Sequence, residues 1–271
     1  MADTTTTEEE KPEVSHGEHH EELPFWRKYI FSTDHKMIGI QYTITGGCFL
    51  FFGFGLMMLM RWSLAYPDQP LPILGFLIGN NGIMSPDTYN TFGAMHGTIM
   101  VFMGVVPLAF GAFGNFVLPL QIGAVDMAFP KINAASYWCL FVGGLIMLAS
   151  FFLPEGAAKS GWTSYAPLAN IDIGLGQTFW LIGMIFLITS SLMGAINFIT
   201  TAIQLRAPGM TYMRLPFFVW TQLVTALLLL LAFPPLEAAG LLQLMDRVAG
   251  TSFFLPTGLV ISGEVADISG G

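Results

Sequence analysis

The feature that most constrains this chain is a set of five long stretches without any aspartate, glutamate, lysine or arginine. They cover residues 37–60, 88–125, 132–154, 173–205 and 215–236. Roughly 20 helical residues cross the hydrocarbon core of a bilayer, whereas a transmembrane barrel would show alternating apolar and polar residues. We therefore predict an all-α polytopic membrane protein with five transmembrane helices, at about residues 37–61, 88–120, 132–154, 173–205 and 215–240.

The composition excludes an ordinary soluble domain, since 54% of the residues are hydrophobic, 10% are charged and the mean hydropathy is +0.63. Most of the net charge of -8 comes from glutamates near the N-terminus, so residues 1–24 are predicted to be a disordered acidic cytoplasmic tail. The tail lacks the patterns of a signal or transit peptide. We expect a multi-pass protein of the bacterial inner (cytoplasmic) membrane, in contact with lipid and not with nucleic acid.

Basic residues predict the orientation, because cytoplasmic loops carry an excess of lysine and arginine. Those next to the predicted helix ends on one side are Arg27, Lys28, Lys36, Lys131, Arg206 and Arg214. The segments 62–87, 155–172 and 237–271 contain only Lys159 and Arg247 and are assigned to the outer face, with residues 255–271 as an outer-face segment. The N-terminus is therefore predicted to be cytoplasmic.

This orientation predicts that a protease acting on inside-out vesicles removes residues 1–22, because the tail then faces the medium. The measurement is the loss of an N-terminal epitope, with right-side-out vesicles as the control. A tail that is protected in inside-out vesicles and cut in right-side-out ones would contradict the orientation.

One histidine, His96, lies within the charge-free stretches, between Gly93 and Gly97. Small residues let another helix or a flat macrocycle approach the backbone, and an imidazole in lipid must be hydrogen-bonded or coordinated. Two interpretations stay open on these residues. His96 either ligates a haem or metal, or bridges two helices by a hydrogen bond.

Two charged residues at helix ends also have two interpretations each. Arg61, at the outer end of the first helix, either donates to a bound cofactor or extends to the membrane interface. Asp126, at the cytoplasmic end of the second helix, either collects protons for a chain of hydroxyls and amides or is a solvated surface charge. The neutral polar residues in the cytoplasmic half are Asn115, Asn133, Ser190, Ser191, Asn197, Thr200 and Thr201, which could alternatively be interhelical hydrogen-bond partners.

Several motifs occur in a fixed order between Trp26 and Phe254. They are Phe31-Ser32-Thr33-Asp34-His35-Lys36, Tyr89-Asn90 ahead of His96, Gly114-Asn115, Asp126-Met127-Ala128-Phe129-Pro130, Gly161-Trp162-Thr163, and Gly194-Ala195-Ile196-Asn197-Phe198-Ile199-Thr200-Thr201. With these motifs the chain resembles subunit I of the haem-copper oxidase superfamily, and specifically the N-terminal five-helix portion of a cytochrome c oxidase subunit.

The resemblance implies a role for each matching residue. His96 falls on an axial ligand of the low-spin haem iron, Arg61 on the arginine that hydrogen-bonds the formyl group of haem a, and Trp162 on a tryptophan near that haem. Asp126 falls on the entrance of a proton pathway. The other pathway positions are Asn115, Asn133, Tyr42, Ser190, Ser191 and Asn197.

The resemblance also implies a twelve-helix subunit whose remainder holds the high-spin haem, the copper and the oxygen-reducing site. No catalytic residue is therefore expected in this segment, which we expect to be a truncated subunit or one half of a split subunit. The expected partners are that remainder, a copper-bearing subunit II, subunit III and cytochrome c.

Two other functions are alternatives to cytochrome c oxidation. One is an ion or proton transporter or channel without a cofactor. The other is a quinol oxidase subunit I, although quinol-using relatives have charged or hydrogen-bonding residues at the positions of Phe52, Leu56, Thr88 and Thr91. These differences favour cytochrome c as the electron donor.

Overall fold

The computed structural model describes residues 24–78, 80–171 and 174–254, and the backbone of two short strands beyond them. Almost all of the predicted acidic tail at 1–24, and most of the predicted outer-face segment at 255–271, lie outside the described residues. The chain divides into two units, Met1–Phe31 and Ser32–Gly271. In the first unit, Trp26–Ile30 form a π-helical turn.

In the second unit, the described residues contain five helices long and apolar enough to span a membrane. We call them the first to fifth helices, and they are His35–Ala65, Pro86–Ile122, Pro130–Phe152, Leu175–Gln204 and Phe217–Val248. The predicted all-α polytopic fold with five spanning helices is thereby confirmed.

The fifth helix extends further than the predicted end near residue 240, and reaches Val248. Neither Pro234 nor Pro235 ends it. Its last two turns are held by the segment before the fourth helix, where the Gln243 amide donates to the Ser164 carbonyl at 2.9 Å. Glu237, which lies within the predicted helix at 215–240 and at the start of the predicted outer-face segment 237–271, is therefore well inside the described fifth helix.

Short elements connect the helices. They are 3₁₀ turns at Gly75–Leu77, Asn80–Gly82, Ser150–Phe152 and Tyr212–Arg214, and a single α-helical turn at Leu168–Ile171. Two-residue strands, Val260–Ile261 and Glu264–Val265, pair in antiparallel register. None of these elements is long enough to add a span.

The second helix is irregular in its middle. It is α-helical over Pro86–Thr98 and Phe113–Ile122, and π-helical over Ile99–Val105 and Pro107–Ala112. Wide π turns often occur at functional sites. Here they begin three residues after His96 and separate the two halves of the helix.

Glycines let the first and second helices pack closely. Gly39, Gly46 and Gly53 are seven residues apart and therefore share one face of the first helix. A Cβ added at Gly39 would lie 3.1 Å from the carbonyl oxygen of Ala112, and one at Gly53 would lie 2.8 Å from the sulfur of Met100. Only glycine fits this contact without displacing the second helix or its side chains.

The third and fourth helices make a similar contact. A Cβ added at Gly143 would lie 2.9 Å from the carbonyl oxygen of Gly183 and 2.9 Å from the Cβ of Phe186. Because the nearest atoms belong to the backbone and to a Cβ, a rotamer change cannot relieve the overlap.

Gly143→Ala should therefore destabilise the protein by about 1–3 kcal/mol, the usual cost of overpacking. The measurement is thermal unfolding of the purified protein in detergent, followed by circular dichroism. Gly47→Ala is the matched control, since a Cβ at Gly47 meets nothing within 4 Å. Equal melting temperatures for the two variants would contradict the close packing.

Candidate functional site

The His96 ring is fixed by a backbone carbonyl of the neighbouring helix. Its Nδ1 donates to the Gly53 oxygen at 2.8 Å. A carbonyl only accepts, so Nδ1 carries the hydrogen, and in a neutral imidazole Nε2 keeps its lone pair. Histidines that ligate metals are characteristically oriented in this way, by donating from the other ring nitrogen.

The glycines on either side of His96 leave more space at Gly97 than at Gly93. A Cβ added at Gly97 would lie 3.9 Å from Cδ1 of Trp162, which is an ordinary van der Waals distance. A Cβ at Gly93 would lie 3.2 Å from the terminal methyl of Met60. A partly buried imidazole with a free Nε2 and small neighbours has the chemistry of an axial haem ligand.

Trp162 lies against the same stretch of the second helix as His96. Its ring centroid is 6.1 Å from that of Phe102, and 54% of its surface is exposed. An ion pair of 2.7 Å between Lys159 and Asp87 ties the Trp162 loop to the start of the second helix. The structure thus brings together two of the three residues predicted to contact the haem.

Arg61 is the third of these residues, and its side chain is exposed. It follows Gly53 by eight residues on the first helix, which corresponds to about 12 Å along the helix axis. It makes no hydrogen bond to His96 or Trp162 within the described residues. The guanidinium is free to reach a group placed between the helices.

Two glutamines that sequence reasoning missed hold the Trp162 loop. Gln177, fully buried in the fourth helix, accepts from Ser160 at 2.7 Å and donates to Ser164 at 2.9 Å. Gln243 of the fifth helix accepts from Ser164 at 2.7 Å. The sequence does show a glutamine within each of these two apolar helices, and such an amide must find a hydrogen-bond partner. It does not show which residue that partner is.

At the end of the bundle predicted to be cytoplasmic, the loop after the second helix contains Asp126. Its Oδ1 accepts from the Met127 amide at 2.7 Å, and the residue is partly buried. The loop is bound to the fourth helix, where Asn197 accepts from the Phe129 amide at 2.9 Å and Thr201 accepts from the Ala128 amide at 3.0 Å. Asn197 therefore positions the Asp126 loop.

Deeper in the bundle, buried amides have unsatisfied atoms. Both side-chain polar atoms of Asn133, and Oδ1 of Asn115, have no hydrogen-bond partner among the described residues. Gln222 of the fifth helix has an unpartnered Oε1 as well. Buried polar groups in folded proteins are almost always paired with protein or with ordered water. These atoms are therefore suited to binding water.

A small cavity lies beside these amides, lined by several hydroxyl groups and by apolar residues. The Tyr42 hydroxyl lies 3.0 Å from the Ser136 hydroxyl and 3.4 Å from the Ser190 hydroxyl. Ser191 and Asn115 also line the cavity. The centre of a water molecule can occupy about 20 Å³ inside it. Since one water molecule needs about 10–15 Å³ of such space, the cavity accommodates one.

Ser136 and His35 belong to this polar region, although sequence reasoning did not assign them to it. Ser136 bonds to Tyr42, and the buried His35 donates through Nδ1 to the Asn115 carbonyl at 2.8 Å. Tyr42, Ser136 and Ser190 are thus joined by hydrogen bonds, Ser136 also donates to the Asn133 carbonyl, and Asn115 lines the same cavity. The Asp126 carboxylate bonds to the Met127 amide of its own loop. We call Tyr42, Ser136, Ser190, Asn133 and Asn115, together with Asp126, the polar row. Asn115 is 19 residues beyond His96 on the second helix, which places the row roughly 25 Å from the candidate haem ligand.

Comparison with known proteins bears on this arrangement. Residues 37–267 match the family described as Cytochrome C and Quinol oxidase polypeptide I. The chain belongs to this family, the subunit I of the haem-copper oxidases. The resemblance drawn from the ordered motifs is confirmed.

Its relatives include subunits named cytochrome c oxidase subunit 1. The protein of Thermostichus vulcanus is 41% identical over 90% of this chain and 42% of its own length. The protein of Bacillus subtilis is 43% identical over 84% of this chain and 34% of its own length. An alternative cytochrome c oxidase subunit 1 of Bradyrhizobium diazoefficiens is 38% identical over 91% of this chain and 40% of its own length. The chain therefore spans about two fifths of the length of the curated relatives it matches.

Proposed function

We propose that this chain forms part of the catalytic subunit of a terminal respiratory oxidase, and that it binds a low-spin haem and begins a proton-uptake pathway. The observation that carries the proposal is the His96–Gly53 hydrogen bond, which uses Nδ1 as the donor and leaves Nε2 with its lone pair for a metal, on a stretch of helix where Gly97 adjoins Trp162. The proposed reaction transfers electrons from cytochrome c through this haem to a haem-copper centre that reduces oxygen to water.

The proposed haem is of type a, because Arg61 falls on the family position that hydrogen-bonds the formyl group of haem a; when bound, it would supply reversible one-electron transfer. His96 would hold it through Nε2, with the imidazole oriented by the Gly53 carbonyl. Arg61 would donate to a polar group of the haem, and its positive charge would favour the reduced state. Trp162 would lie beside the haem.

For protons, we propose that Asp126 collects them at the cytoplasmic surface. Asn133, Asn115 and the hydroxyls of Tyr42 and Ser190 then order the water that carries them inward. Neutral amides and hydroxyls suit this role, because they bind water without the cost of burying a charge. Asn197 acts differently from the others, by fixing the loop that carries Asp126.

The proposed assembly follows from the family. The remainder of subunit I would supply the second haem ligand, the high-spin haem and the copper, while subunit II with its copper, subunit III and cytochrome c are the proposed partners. The proposed location is the bacterial inner membrane, with the N-terminus in the cytoplasm.

A groove between the first and third helices supports cytochrome c over quinol as the donor. Phe52 and Leu56 line it, together with Phe92 and Phe151, and its volume is about 770 Å³. None of its described lining residues is charged. A quinol headgroup, which needs hydrogen-bond partners and a proton acceptor, would find only Thr45 and Cys48 there.

His96→Ala should abolish the low-spin haem spectrum of the assembled complex, because alanine offers no ligand to the iron. The measurement is the reduced-minus-oxidised visible spectrum of the purified complex, with haem extracted and counted. Thr98→Ala, two residues further along the helix, is the control and should retain the spectrum. A folded His96→Ala complex with its full low-spin spectrum would show that His96 only joins two helices.

Asp126→Asn should keep the haem content and the rate of haem reduction, since the change is isosteric and the haem ligand lies at the opposite end of the bundle. Turnover should fall at least about tenfold, equivalent to about 1.4 kcal/mol on the barrier, because proton delivery becomes limiting. Oxygen consumption and proton uptake by reconstituted vesicles measure this effect.

Asp68→Asn is the matched control, because Asp68 is an exposed carboxylate of the 62–87 segment. Its turnover should be unchanged. Equal turnover in the Asp126→Asn and Asp68→Asn complexes would mean that Asp126 is a surface charge and that the polar row only joins helices.

A further inference from the structure

Glu237 is an acidic residue in the interior of a spanning helix. The other acidic residues of the five described helices, Asp87 and Asp246, lie within two residues of a helix end. Glu237 is instead 20 residues from Phe217 and 11 from Val248. A charged group at this depth is costly, and an ionisable residue there is a functional candidate.

The contact of Glu237 with the fourth helix shows how far along the bundle its carboxyl group lies. Its Oε1 lies 2.5 Å from Oγ1 of Thr189. Thr189 is the fifteenth of the 30 residues of the fourth helix, so it lies at the middle of that span. The carboxyl group of Glu237 is thus level with the middle of the fourth spanning helix.

The hydrogen-bond pattern favours a neutral carboxyl group. Oγ1 of Thr189 is also 2.8 Å from the carbonyl oxygen of Ile185, and its hydroxyl has a single hydrogen. If Glu237 is protonated, its O–H donates to Thr189, whose own hydroxyl donates to Ile185, and both contacts are satisfied. If Glu237 is ionised, the single hydroxyl hydrogen of Thr189 has two acceptors, the Glu237 carboxylate and the Ile185 carbonyl, and only one of them is fully satisfied.

Among the described residues, no salt bridge compensates a charge on Glu237. The fourth helix contains no lysine, arginine or histidine. On the fifth helix, Arg247 is ten residues away and bonds to Thr178 and to the Ala169 and Gly174 carbonyls. Thr189 is the neutral residue that contacts Glu237 from the fourth helix. A bound proton would neutralise the carboxylate without a cation.

We propose that Glu237 is a proton-binding site in the membrane interior, whose protonated carboxyl group donates to Thr189. The site lies on the contact between the fourth and fifth helices and is separate from the polar row. It requires neither the haem nor the proton pathway proposed above, so it stands or falls independently of them.

Infrared difference spectroscopy of the reconstituted complex tests this site. At neutral pH, the spectrum of the unmodified protein minus that of Glu237→Gln should contain the carbonyl band of a protonated carboxylic acid. Thr189→Val should shift this band, because it removes the acceptor. Glu155→Gln, which changes an exposed loop carboxylate, is the control and should alter carboxylate bands only.

A Glu237→Gln difference spectrum that contains only carboxylate bands at neutral pH would overturn the proposal. If Glu237→Gln does not assemble, the unmodified complex decides the question by reaction with dicyclohexylcarbodiimide, an apolar reagent that modifies protonated carboxyl groups. Mass spectrometry should find Glu237 modified and Glu155 unmodified. Modification of other carboxyl groups of the complex without Glu237 would contradict the site.

Discussion

The close contact between the first and second helices is the constraint on which the rest of the structure depends. Gly39, Gly46 and Gly53 remove side chains from one face of the first helix, so that the two backbones approach each other. In lipid no hydrophobic force draws helices together, and packing and hydrogen bonds must do so. The same approach brings His96 to the Gly53 carbonyl, so the contact that builds the bundle also orients the candidate iron ligand.

The five helices could be predicted from the sequence, because a charge-free stretch of sufficient length has few alternatives in lipid. Helix ends were harder to predict. The fifth helix continues past Pro234, Pro235 and Glu237 because partners on other elements satisfy its polar groups, and those partners are distant in sequence. A local pattern does not contain that information.

The same limit applies to the sites. His96 and Asp126 were recognisable as ionisable residues within or beside apolar helices, and the family resemblance supplied roles for their neighbours. Ser136 and Gln177 were not recognised, because Ser136 bonds to Tyr42 of the first helix and Gln177 bonds to Ser160 and Ser164 of the Trp162 loop. Asn197 was placed among pathway residues, but its hydrogen bonds hold the Phe129 backbone. Which polar residue bonds to which is decided by tertiary packing.

The central claim is that one bundle places a haem ligand near its outer end and a water-binding polar row near its inner end. The most direct measurement is a cryo-electron microscopy map of the intact complex purified from its native membrane. The account predicts iron density bonded to Nε2 of His96, with Nδ1 still on the Gly53 carbonyl, and ordered water beside Asn133 and Asn115. A map in which Nε2 of His96 contacts only protein atoms, and in which these amides bond directly to side chains of the remaining helices, would contradict it.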